Sequence, residues 1–381
     1  MNRILALVLG LGLAVLISGC SMLATSPRKF SIQNNWVRST IEKDYAGYRR
    51  MNRMSPLLYK NLLIQSNAID GVTAFRKDSG TQVWKINIRN GVEAGAVISG
   101  DKLFFGASDG NFYCAQPMTG KILWSFQTHV ETLSLPTVEN SVVYFETGAG
   151  VIYALDAESG KQLWLFNRGT TQSLTIRAGT QPVIDNENLL VGFSDGFLVS
   201  LRKRDGILAW DKKLSHTGRF KDVDATPVIV GDHLYVSSFD GALYALKKQN
   251  GEIIWQHDEG GYTSPLVAGD SIFYATSSGL IQSLDKNSGK VQWSTQVKKG
   301  IATQPVLYKG YLIYGESEAG LVVADAQSGK LISRFEPGRG LVAQPSVDKE
   351  TGDVYFISNE ANLYAMKLKF DRPAEKLPWQ N

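Results

Sequence analysis

A chain of 381 residues is longer than one ordinary domain, although a repeat architecture can absorb that length into a single ring. With 43% hydrophobic and 20% charged residues, the composition is that of a folded protein and not of a disordered one. A formal charge of +4 without a dense run of lysine and arginine speaks against a nucleic-acid partner; the nearest run, Arg202-Lys203-Arg204, is followed by Asp205 and Asp211.

The chain opens MNRILALVLGLGLAVLISGC. Arg3 supplies a positive n-region, and residues 4–17 form an apolar run of 14 residues. That is short of the roughly 20 needed to span a bilayer and suits the h-region of a secretory signal peptide. The run ends in Ile17-Ser18-Gly19-Cys20, which resembles the bacterial lipobox: an aliphatic residue, two small ones, then cysteine. Small side chains admit the peptidase, and the Cys20 thiol receives the diacylglycerol. Two or three acyl chains, at about 0.8 kcal/mol per buried CH₂, make such an anchor durable. Ser21 stands where an Asp retains many lipoproteins at the inner membrane, which favours the outer membrane by family rule. With Cys20 lipidated, Cys114 has no partner and no disulfide framework exists. His129, His216, His233 and His257 lack ligand spacing, so neither a metal nor a cofactor is expected.

Internal repeats fill the rest of the chain. A clear copy at 225–255 reads as four short strands, 226–230, 233–237, 241–246 and 252–255, separated by Gly231-Asp232, Asp240-Gly241 and Asn250-Gly251. Trp84, Trp124, Trp164, Trp210, Trp255 and Trp293 mark the period, each four residues after a glycine. A seventh unit has Gly329 but Ser333 in the tryptophan position. An eighth begins near Gln344-Pro345, runs through Asn362-Leu363-Tyr364-Ala365 and lacks a last strand. Four-stranded units of about 40 residues are propeller blades. The expected fold is all-β, an eight-bladed β-propeller of four-stranded antiparallel blades. An unclosed ring leaves an open edge, so the segment 30–36 is expected to complete the last blade, with Trp36 as its tryptophan. The chain then divides into a signal peptide (1–19), a lipidated linker (20–29) and one propeller (30–381). The strand at 150–155 and the run from Asp156 to Trp164 resemble the tryptophan-docking motif of quinoprotein-type propellers, where the ring packs between blades. Cys114 occupies the small-residue slot of Ala154 and Ala245 and reads as a buried, inert thiol.

The units differ at their junctions. From each tryptophan position to the proline position opening the next unit, most junctions span 10 or 12 residues, but Trp164 to Pro182 spans 18 and Trp210 to Pro227 spans 17. Consecutive long loops emerge side by side and build one raised patch. The first carries Ser173-Leu174-Thr175-Ile176-Arg177, the second Gly218-Arg219-Phe220-Lys221-Asp222-Val223-Asp224. Apolar side chains, an arginine and paired carboxylates suit a protein-binding surface. The alternative is that Leu174 and Ile176 pack beneath their own loop while Asp222 and Asp224 pair with Arg177.

Lipobox, eight units and two long loops together resemble the BamB family of outer-membrane protein assembly lipoproteins, from about Trp36 to Leu368. Locally, SLTIR at 173–177 and KDVDATPV at 221–228 are similar to that family's SLTLR and SDVDTTPV. The resemblance implies a non-catalytic scaffold of the outer-membrane β-barrel assembly machinery, lipid-anchored on the periplasmic side of the outer membrane. It implies docking on the POTRA domains of the barrel protein BamA through Leu174, Ile176, Arg177, Asp222 and Asp224, with Ile176 replacing a leucine. Other subunits of the machinery are implied partners as well. An exposed blade edge pairing with a strand of an unfolded outer-membrane protein is a hypothesis for how such a scaffold assists. One competing reading is a quinone-dependent dehydrogenase on the same propeller. Against it, Cys114 has no cysteine neighbour, no long insertion builds a lid, and Glu146, Glu316 and Glu318 form no recognisable ligand cluster. A different periplasmic protein-binding lipoprotein is the other, against which the two loop motifs speak.

Overall fold

Each unit carries one burial gradient. Its second and third strands are mostly apolar and buried along their middles, as in Asn188–Gly192 and Phe197–Arg202. Its fourth strand alternates exposed and half-buried positions, as in Leu208–Lys213. A strand covered on both faces needs an unbroken apolar run, whereas one at a rim needs only alternation. The pattern therefore dictates sheets sandwiched between neighbours in the middle and open at the outer edge.

The computed structural model describes residues 29–42, 51–169, 179–215, 220–239 and 241–371. Among them are eight four-stranded sheets. Blades 1 to 7 occupy 57–87, 96–127, 137–167, 183–213, 228–257, 266–296 and 306–335, with strands in chain order. Blade 8 consists of Ser346–Val347, Asp353–Ile357 and Asn362–Asp371, with Lys29–Ser39 as its fourth strand beside Asn362–Asp371. The ring is closed by the two ends of the repeat region, and the closing strand is longer than the expected 30–36. The compact unit runs from Phe30 to Lys369. In blade 5 the first strand is Val228–Val230, shorter than expected, because Pro227 has no N–H to give a ladder. Its fourth strand, Ile253–His257, is displaced by a bulge opposite Ala245/Leu246.

The core lies between blades. Tyr144, Ile152, Ala154 and Trp164 of blade 3 pack with Leu189, Val191, Val199 and Leu201 of blade 4. Blades 1 and 2, 2 and 3, 4 and 5, 5 and 6, 6 and 7, and 8 and 1 share clusters of the same kind. Each repeat tryptophan extends this contact. The Trp164 indole N–H donates to the Lys203 carbonyl in the next blade (2.9 Å), as Trp84 does to Pro117 (3.0 Å) and Trp293 to Ala326 (3.2 Å). The ring rests on the glycine of the next unit's turn. A Cβ at Gly160 would stand 2.7 Å from the Trp124 ring, and Gly160 has φ 70°. Positive φ and ring contact together demand glycine there, which explains the fixed glycine-to-tryptophan spacing.

Trp36 follows the rule at the closure. Its N–H donates to the Lys77 carbonyl (2.9 Å) and its ring lies against Gly80. Lys77 also pairs with Asp348 of blade 8 (3.0 Å). Ser333 now has a reason. It faces blade 8, whose third and fourth strands come from opposite ends of the repeat region, so no glycine turn joins them and a tryptophan would have no seat. Aromatic contacts at that junction come from other positions: Phe30 of blade 8 against Tyr311 of blade 7 (5.8 Å), and Phe335 of blade 7 against Phe356 (6.1 Å) and Tyr364 (5.6 Å) of blade 8. Cys114 is paired in register with Trp124, as Ala154 is with Trp164. It is buried, and burial pushes its thiol up to about 12.

Trp36→Ala is expected to cost about 3 kcal/mol or more, the usual range for truncating a buried tryptophan, with a clearly lowered melting temperature. An unchanged thermal melting curve would mean that the chain ends do not hold the ring shut.

Candidate protein-docking face

The junctions share a backbone clamp that fixes where any insertion must go. Among the described residues, five connectors donate an N–H to the blade behind: Val92 to Asn67 O (2.9 Å), Thr132 to Ala107 O (3.2 Å), Val223 to Phe193 O (3.1 Å), Gly261 to Ser238 O (3.1 Å), Leu341 to Glu316 O (3.1 Å). The residue before each donor accepts an N–H from the blade ahead: Gly91 from Ser108 (3.1 Å), Glu131 from Gly148 (2.9 Å), Asp222 from Phe239 (2.9 Å), Gly340 from Asn359 (2.9 Å). These bonds place the connectors and the turns between second and third strands on one face. Every donor named stands four residues before the proline position, so the extra residues of the second long junction precede Asp222. By the same count Arg177 holds the position of Asp222 in the first long junction. Leu174, Ile176 and Arg177 lie outside the described residues, as does Cys20.

Asp222 and Asp224 are described, and both are buried, at 0% and 8% exposure. Neither is without a partner. Asp222 sits in the clamp. Asp224 stands three residues before its proline, as Arg53, Gly179, Tyr262 and Val342 stand before theirs, and all five line one cavity of about 360 Å³ with Met51, Phe239, Ile301 and Ser317. Residues from so many connectors meet only at the propeller axis, so Asp224 belongs to the wall of a central funnel. The two carboxylates are therefore interior groups of the second junction's described end, not exposed surface ones.

Blade 4 holds the described flanks of both long junctions. Arg168, where the chain leaves blade 3, reaches Asp195 in the turn of blade 4 (Nε to Oδ2, 2.5 Å). Thr180, where the first junction ends, donates its hydroxyl to the Val223 carbonyl of the second (2.8 Å). The Thr180 N–H donates to Glu146 Oε2 (3.2 Å) at the end of blade 3's second strand. Burial, followed by the charge of Asp224, raises the Glu146 carboxyl well above its ordinary range.

A third long junction escaped the sequence count, which began at Trp84. Trp36 to Pro56 spans 20 residues. Its described end lies on the same face. Asn52 bridges blades 8 and 1 by donating to Ser358 O (3.4 Å) and accepting from Ala68 N (3.0 Å), and Met51 and Arg53 line the funnel. The same tryptophan-to-proline ruler, carried across the chain ends, would have found it. The other carboxylates considered as ligands are engaged: Glu316 with the Arg334 guanidinium, Glu318 with Lys299 (3.6 Å).

Comparison with known proteins places this architecture. The family model described as outer membrane protein assembly factor BamB matches residues 70–295. The outer membrane protein assembly factor BamB of Shewanella oneidensis is 29% identical over 317 residues, covering 78% of this chain and 80% of that protein. That of Salmonella typhimurium is 24% identical over 385 aligned residues, covering 94% and 97%. Among solved structures, BamB from Moraxella catarrhalis superposes with a TM-score of 0.74 at 18% identity, covering 88% of this chain and 100% of that one. The quinohemoprotein alcohol dehydrogenase of Comamonas testosteroni gives 0.70 at 13% identity, covering 89% and 76%; at these identities both likenesses are of fold alone.

The Glu146 environment yields a signed expectation. A carboxyl that binds its proton more readily folded than unfolded favours the folded state while protonated. That contribution is lost as pH rises from the ordinary value of 4.5 through the raised folded value. Glu146→Gln keeps an acceptor for Thr180 and removes the buried charge. Its melting temperature should exceed wild type near about pH 8 and converge with it toward acid pH. A constant difference across a pH series of thermal melts would count against a buried, readily protonated carboxyl.

Proposed function

The chain belongs to the outer membrane protein assembly factor BamB family, and from that membership we propose that it is a non-catalytic scaffold docking on the periplasmic POTRA domains of the barrel protein BamA. The observation that carries the docking reading is the pair of lengthened junctions whose flanks are tied to one blade. A raised region with a rigid base loses little freedom on binding, which favours affinity. Leu174, Ile176 and Arg177 are the contacting residues in this reading. Asp222 and Asp224, being buried, hold the base from which those side chains are presented. Carboxylates already committed to Arg334, Lys299 and the Thr180 amide support a scaffold over an enzyme.

Residues 1–19 serve as the signal peptide in this proposal, and a lipid on Cys20 holds the propeller at the periplasmic side of the outer membrane. The other subunits of the machinery are further partners. Assistance to unfolded outer-membrane proteins follows from keeping the barrel protein's periplasmic region in place.

Two experiments test the proposal. Wild-type chain without its lipid should bind the soluble POTRA region, and Arg177→Glu or the pair Leu174→Ala with Ile176→Ala should abolish binding while leaving the fold intact. Retained binding in both would move the site elsewhere on the propeller, and no binding by wild type would remove the partner. Separately, Cys20→Ser should shift the protein from the membrane fraction to the soluble periplasm; persistence in the membrane would rule out the lipid anchor.

A further inference from the structure

Arg168 is held in a way no other described arginine is. Its guanidinium lies 4.4 Å from the Phe197 ring centroid and 5.5 Å from that of Phe193. Nε bonds Asp195 at 2.5 Å, and Nη1 approaches Asp211 at 3.4 Å. The side chain is only 13% exposed. Arg168 leaves blade 3, while Phe193, Asp195, Phe197 and Asp211 all belong to blade 4. The same short turn of blade 4 also holds the second long junction. The Phe193 carbonyl accepts from Val223 N, and the Gly196 carbonyl accepts from Leu214 N (2.9 Å) and Ser215 N (3.3 Å). A Cβ at Gly196 would stand 2.8 Å from Ser215 Cβ, so turn and junction are in direct contact.

We propose that Arg168 is a positioning residue for the docking face, linking the first long junction to the second through the Phe193–Gly196 turn. Contact with two ring faces together with a carboxylate bond fixes the direction of a guanidinium, which a lysine ammonium cannot reproduce in full. The described ends of the two junctions, Arg168 and Leu214–Ser215, are thereby held by one turn. The inference rests on the docking reading above, so its test includes a readout that needs no partner.

The test compares Arg168→Met, Arg168→Lys and Asp195→Asn with Arg334→Met, which breaks an ion pair in blade 7, where neither junction carries extra residues. For each full mature chain three quantities are measured: melting temperature, affinity for the soluble POTRA region, and the rate of limited tryptic cleavage after Arg177 and Arg219 without partner. Arg168→Met should bind about tenfold more weakly, the scale of one coupling interaction, and be cut faster after both arginines. Arg168→Lys should recover part of the affinity. Arg334→Met should lower the melting temperature with affinity and cleavage unchanged. Arg168→Met that loses only melting temperature overturns the inference, because the ion pair is then an ordinary structural one. If wild type fails to bind, the docking reading falls and cleavage decides alone: faster cutting at both sites in Arg168→Met supports the link, and an unchanged rate overturns it. If Arg168→Met does not fold, Asp195→Asn carries the same comparison.

Discussion

The seating of each tryptophan on the glycine turn of the next blade is the contact on which the ring depends. A four-stranded sheet has too little covered surface to stand alone, and among the described residues the buried clusters of this molecule lie between neighbouring blades. Its stability comes from interfaces between neighbours. Among the described residues, at seven of the eight an indole supplies a large flat area, and at six of these its N–H bonds a backbone carbonyl, as between Trp164 and Lys203. The positive φ of the receiving glycine shapes a seat that no other residue fits without strain. Trp36 carries the same contact across the chain ends, and only the seam between blades 7 and 8 lacks it, because the turn that would receive the ring does not exist there.

That constraint leaves little of the repeat free to change. The inner strands are bound to two neighbours, and the turn between third and fourth strands is committed to the tryptophan. The stretch between the tryptophan strand and the clamp is the part that can lengthen without disturbing an interface. It has lengthened on both sides of blade 4, where the Phe193–Gly196 turn, Thr180 and Arg168 anchor the described ends. A scaffold must present groups in a fixed arrangement, and here the rigidity of the ring is carried outward to the base of both insertions.

Much of this was legible in the residues because it is periodic. The glycine-to-tryptophan spacing, the four-stranded unit of about 40 residues and the Phe30–Trp36 segment each repeat a local rule, so ring closure followed from counting what was missing. The interior of the site was less legible. Asp222 and Asp224 look like surface carboxylates in a polar loop, and their burial depends on standing five and three residues before a proline. That count acquires meaning only when all connectors meet at one axis. Arg168 reads as a solvated strand-end cation, since Asp195 comes from a turn of the next blade and Asp211 from its fourth strand. Sequence proximity carries no trace of that encounter. The junction from Trp36 to Pro56 was missed for a different reason: it crosses the point where the repeat begins, and the repeat was read as a line when it is a circle.

The clamp is made of main-chain groups, and this separates two kinds of change over evolution. Its donors and acceptors, such as Val223 N with Phe193 O and Phe239 N with Asp222 O, exist whatever side chains those positions carry. A lineage can therefore add or remove residues upstream of a clamp, or replace every side chain there, and the blades will still find one another. The clamp places no demand on side chains, whereas the tryptophan seats carry that demand for the ring. Propellers with little identity to this one can keep its ring and meet quite different molecules at the same face.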